Sequence, residues 1–139
     1  MEKLKLLAEM LRGPALAMQG LDVSPEEAAA QVAERFPGKP YCVVQDWVLF
    51  DLEMPDLVRD GMAGMGQKPI MLVFLDMVHD TLGRYPVGGW ARTAPLHSFV
   101  EERFFETKDS VYVLIGPGQR RRATLSSIIR LPTGMGSIE

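Results

Sequence analysis

Tyr41-Cys42-Val43-Val44-Gln45-Asp46-Trp47-Val48-Leu49-Phe50-Asp51-Leu52 is the stretch on which the fold turns. Its β-branched and aromatic residues read as a strand, long enough to bend or to hold a bulge near Gln45-Asp46. Before it the spacing is helical. Leu4, Leu7, Ala8 and Leu11 recur every three or four residues and predict a short amphipathic helix that stops before Gly13-Pro14. Ser24-Pro25-Glu26-Glu27 then predicts a second helix over about 25–36. Ser24 accepts from the Glu27 amide as N-cap, Pro25 suits the first helical position, and both glutamates favour the positive end of the helix dipole. Ala28, Ala29, Val32, Ala33 and Phe36 form its apolar face, and Pro37-Gly38 ends it.

After that stretch, strands dominate. Residues 54–65 suit a short helix behind Pro55, loosened into a mobile connection by Gly61, Gly64 and Gly66. Residues 70–78 are apolar on both faces, as in a central strand. A turn at 80–83, a return over 85–87 and a strand at 90–93 follow. Residues 104–107, 110–115 and 120–125 complete a meander, with turns at Lys108-Asp109 and at Gly116-Pro117-Gly118-Gln119; the second has the residues of a type II hairpin. A closing helix at 125–131 precedes a frayed tail at 132–139. The class that follows is α+β: N-terminal helices packed on a curved antiparallel meander sheet or a partly open small barrel. One domain covers 1–139, with 1–20 as N-terminal helix and connection. Alternating βαβ units are missing, which argues against a doubly wound nucleotide fold.

Composition narrows function by exclusion. The chain has 139 residues, 47 % hydrophobic and 24 % charged, with a net charge of −3. Such a balance lacks the basic excess of a general nucleic-acid binder. The charges are uneven: 1–64 carry six basic residues against eleven acids, and 65–139 carry nine against seven. Charged residues break up the N-terminal apolar pattern, and no apolar run approaches bilayer length, so a cytoplasmic protein without membrane contact is expected. A single cysteine excludes an intrachain disulfide and multi-cysteine metal sites.

Catalytic constellations are weak. Cys42 sits between apolar neighbours, where an inert buried thiol is the expectation. His79-Asp80-Thr81 has the His-x-Thr form of two-histidine phosphoesterases, but His97-Ser98-Phe99 puts Phe where the second hydroxyl belongs. Gly61, Gly64 and Gly66 lack the strand and helix start of a phosphate cradle. Acid pairs such as Asp51/Glu53, Asp76/Asp80 and Glu101/Glu102 read as solvated edges rather than magnesium ligands. No catalytic residue, metal or cofactor is therefore expected.

Gln119-Arg120-Arg121-Arg122 is the candidate recognition element, a basic hairpin at 116–122. Strand alternation sends Arg120 and Arg122 to one face and Arg121 to the other. Such a tip clamps phosphates or an acidic partner surface, or else protects an edge strand by charge. Tyr112 is the aromatic that would stack a base beside it. Met62 and Met65, in a glycine-rich segment, are candidate adaptable contacts, while Trp47 and Trp90 are expected in the core.

Trp90-Ala-Arg-Thr-Ala-Pro-Leu96, Phe105-Glu-Thr-Lys-Asp-Ser-Val-Tyr-Val-Leu-Ile-Gly116 and the arginines after them resemble a family of short bacterial and prophage proteins without an assigned reaction. Lys39-Pro-Tyr-Cys-Val-Val-Gln-Asp-Trp-Val48 and Val78-His-Asp-Thr-Leu-Gly-Arg84 are similar too, so the resemblance covers about 20–131. It implies a small accessory protein that binds a host or cognate protein. The expected function is a non-enzymatic protein-binding module, phage-related and acting as an inhibitor or accessory factor. The alternative is a nucleic-acid or nucleotide binder using the basic hairpin.

Overall fold

The computed structural model describes residues 2–133. In chain order the elements are α1 (Glu2–Met10), β1 (Leu16–Gln19), α2 (Pro25–Arg35), β2 (Tyr41–Glu53), α3 (Asp56–Gly64), β3 (Ile70–Asp80), β4 (Ala91–Arg92), β5 (Ser98–Val100), β6 (Phe104–Glu106), β7 (Val111–Leu114), β8 (Pro117–Thr124) and α4 (Leu125–Ile128). The class is α+β, a curled sheet forming a half-barrel with helices against it. Among the described residues, no helix is long and apolar enough to cross a membrane.

β2 is the axis of the sheet. β3 runs antiparallel along one side of it, from Cys42 opposite Asp80 to Asp51 opposite Ile70. On the other side β2 changes partner midway. Its first residues, Tyr41 to Val44, pair in parallel with β7, and Trp47 to Glu53 pair in parallel with β8. β6 and β5 extend the sheet beyond β7, and β1 extends it beyond β8. The sheet is therefore mixed.

The expected hairpin at 116–119 is a correction. β7 and β8 both run parallel to β2, so the chain passes through Gly116-Pro117 with a kink and does not reverse. Gly116 takes φ 73 there, a left-handed conformation that glycine adopts without a Cβ penalty. Asp46, facing this break on β2, takes φ 50. Trp47 spans the kink: its indole N–H donates to the Ile115 carbonyl at 3.2 Å, and its ring lies on Gly118. A Cβ on Gly118 would stand 2.3 Å from that ring. Tertiary packing of one tryptophan overrides local turn chemistry. The irregularity expected near Gln45-Asp46 is present, with Asp46 left-handed and β2 changing partner there, and a second register shift, against β3, falls between Val43 and Val44, with Val78 as the extra residue of β3.

Alternation along β2, which reverses phase at the left-handed Asp46, divides the core. Cys42, Val44, Trp47 and Leu49 join Leu72, Phe74, Met77, Phe105, Tyr112 and Leu114 on one face. Val48, Phe50 and Leu52 lie on the other, against Leu7 of α1 and Ile128 of α4. Further along that side Val43, Val111 and Val113 pack on Ala28 and Val32 of α2. Ser24 caps α2 as expected, accepting from the Glu27 amide at 3.1 Å. Three smaller expectations change. Residues 85–87 form no strand, although Gly88 and Gly89 exchange backbone bonds with Met77. α3 extends through Gly61 and Gly64. Leu131 and Pro132 are buried, and the Pro132 carbonyl accepts from the Arg92 amide at 2.8 Å. The remainder of the expected frayed tail, 134–139, lies outside the described residues.

Candidate functional site: an arginine groove at the end of the central strand

Strand alternation places Asp51 and Glu53 on one face at the C-terminal end of β2, with Arg120 and Arg122 beside them on β8. Arg120 donates two bonds to Asp51, at 2.8 and 2.7 Å, in the fork geometry that makes guanidinium–carboxylate pairs strong. The Asp51 carboxylate bonded to it raises the Arg120 pKa above its ordinary value. Arg122 is looser. It stands 3.9 Å from Glu53, and its side chain is 82 % exposed.

Arg121 points to the opposite face, as alternation requires, and its register partner is the buried Phe50. Its guanidinium donates to the carbonyls of Arg12 and Gly13, at 3.0 and 3.1 Å, and to the Gln119 side chain at 2.7 Å. These acceptors are uncharged, so they hold the side chain in place without neutralising it. The segment after α1 is thereby tied to β8.

Around these residues lie two adjoining clefts that share Asp51 and Arg122. The larger, about 570 Å³, is lined by Met10, Arg12, Leu16, Asp51 and the three arginines of β8. The smaller, about 420 Å³, adds Glu53, Arg59 and Pro69. Arg59 donates to the Leu52 carbonyl at 3.3 Å. Together the clefts gather Arg12, Arg59, Arg120, Arg121 and Arg122 against Asp51 and Glu53. A chain of net charge −3 thus carries a groove of the opposite sign.

Other candidates have structural work. Asp80 accepts from the amides of Leu82, Arg84 and Tyr85, from the Arg84 guanidinium and from the Cys42 thiol. Burial alone would raise its pKa, but the Leu82 amide, the Arg84 guanidinium and the remaining donors outweigh that and lower it. Burial, then the Asp80 charge, pushes the Cys42 thiol far up. A thiol held protonated as a donor is a poor nucleophile. The Thr81 hydroxyl accepts from the Tyr41 amide at 3.1 Å, and the His97 ring nitrogen lies 3.1 Å from the Gly66 carbonyl. His79-Asp80-Thr81 therefore ends β3 and builds the following turn.

Of the sequence-derived residues, Gln119, Arg120, Arg121 and Arg122 come together. Three do not join them, and the two buried ones, Tyr112 and Met62, are corrections. Tyr112 is buried against Phe74 and meets the Tyr85 hydroxyl at 3.3 Å, so it offers no ring for stacking. Met62 is buried by the inward face of α3, whereas Met65 is 70 % exposed beside a separate cleft near His97. Arg12 and Arg59 were not foreseen in the groove. Their positions depend on how α1 and α3 return to the sheet, which single-residue spacing does not encode. The alternation of Asp51 and Glu53 at a strand end was the available signal.

A family model described as a domain of unknown function, DUF6957, matches residues 19–130. The chain belongs to that family. No curated protein and no solved structure shows significant similarity to it.

Proposed function

We propose that this DUF6957 member is a non-enzymatic binding protein whose arginine groove receives an acidic surface of a protein partner. The carrying observation is the concentration of five arginines against two carboxylates in adjoining clefts of an otherwise acidic chain. Arg122 and Arg12 are exposed and ready to meet a carboxylate, and Arg121 is held in place without losing its charge. The burial of Tyr112 favours a protein over a nucleic acid, because no sequence-designated ring stands beside the arginines to stack a base. The biological reading that accompanies this is an accessory factor or inhibitor of bacterial or prophage origin, acting in the cytoplasm on a host or cognate protein.

The test is affinity capture with the full chain from bacterial lysate, with and without nuclease treatment, beside an R12E/R122E variant of matched thermal midpoint. The expected result is a protein retained by the parent chain, released by added salt and not retained by the variant. Capture that disappears with nuclease, or an identical protein set on the variant, overturns the reading.

A further inference from the structure

The arginine groove borders an open sheet edge. β1 pairs with β8 on one side, and it ends the strand order on the other. Which of its backbone groups face outward follows from one residue. Gln19 lies opposite Pro117, which has no N–H, so that pair cannot be the hydrogen-bonded kind. The Gly20 amide donates to the Gly116 carbonyl at 2.8 Å, as a non-bonded pair at Gln19 and Pro117 requires. Leu16 and Met18 are thus the residues that bond to β8, and the N–H and C=O of Ala17 and Gln19 point away from the sheet. Leu16, Ala17 and Gln19 are exposed. The strand Leu-Ala-Met-Gln carries no charge and no proline, the usual guards of an edge. Arg12, Leu16 and Arg122 meet in the cleft at its N-terminal end.

We propose that an extended acidic segment of a protein partner adds to the sheet alongside β1, its backbone bonding to Ala17 and Gln19 and its carboxylates reaching Arg12 and Arg122. This rests on the groove reading above and names how the partner is held. Backbone pairing supplies the register, and the arginines at one end select an acidic sequence. Leu16 gives an apolar side chain of the segment something to cover. Charge complementarity favours this occupant over a second copy, since the arginines at one end of the edge call for carboxylates and the Leu-Ala-Met-Gln strand of a second copy carries none.

A short synthetic peptide of valine–threonine repeats with a glutamate run at one end tests it, with the full chain and amide hydrogen exchange as readout. Binding is expected to protect the Ala17 and Gln19 amides, to weaken about tenfold or more in R12E/R122E, and to vanish for one of two peptides N-methylated at the odd or at the even nitrogens. Binding that leaves both amides exchanging freely overturns edge addition while sparing the groove. Equal binding by both N-methylated peptides does the same. No binding up to the solubility of the peptide overturns the inference, and the capture experiment then judges the groove separately. Protection that appears without peptide and grows with protein concentration assigns the edge to a second copy, which also overturns it.

Discussion

An aspartate–arginine pair lies at each end of β2, and the two differ in everything except their chemistry. Beside its N-terminal end, the side chain of Asp80 is 1 % exposed and gathers the amides of the 80–85 turn together with Arg84 and Cys42. At its C-terminal end, Asp51 and Arg120 form a bidentate pair with side chains 38 and 32 % exposed, in a cleft lined by three further arginines. The enclosed carboxylate has nowhere else to turn, so its bonds hold the loop. The open pair faces water and unneutralised cations, so an incoming carboxylate can share its arginines. Charge pairing in one molecule thus serves architecture where it is sealed and recognition where it is open.

The largest expected effect lies between the two ends. Gly118→Ala puts a Cβ into the Trp47 ring and separates β8 from β2, with an expected loss of at least about 3 kcal/mol in urea unfolding. Stability within half of that would mean that the indole does not fix the kink on which the open end is built.

Asp80→Asn comes next, with an expected loss of about 2 kcal/mol, since a charge-assisted acceptor becomes a neutral one. Acid sharpens the point. The folded pKa of Asp80 lies below its ordinary value, so its contribution is complete above that value and is lost as pH falls through the lower, folded one. The parent chain is expected to lose stability below about pH 4 more steeply than Asp80→Asn does. Parallel acid titrations of the two, followed by circular dichroism, would contradict the sealed assignment.

Smaller effects are expected away from both pairs and at the open one. Ser24→Ala removes the α2 cap and is expected to lower stability by about 1 kcal/mol, read as a shift in thermal midpoint. Arg120→Ala, at a half-open pair, is expected to change it by about half a kcal/mol. A loss as large as that of Asp80→Asn would erase the distinction between the two ends.

What the sequence made legible was local. The α2 start needs only Ser24, Pro25 and Glu27, and the β character of 41–52 needs only its own residues. Gly116-Pro117-Gly118 misled because the same residues serve a type II turn or a kinked continuous strand. The choice rests on Trp47, about seventy positions earlier in the chain. β1 escaped notice because four neutral residues carry little pattern, yet its presence moves the arginine strand away from the sheet edge. The triplet was visible as a charge run, and its alternation was predicted correctly. Its partners Arg12 and Arg59 come from other elements, and only tertiary packing brings them to it.

The most direct measurement is the affinity of the captured protein for R12A/R122A and for Asp80→Asn, each assayed well below its thermal midpoint. The account predicts that R12A/R122A keeps the parent's stability within about half a kcal/mol and loses most of its affinity. Asp80→Asn is predicted to lose stability and bind as the parent does. Full affinity in R12A/R122A, with its fold intact, would contradict the assignment of the groove as the binding site.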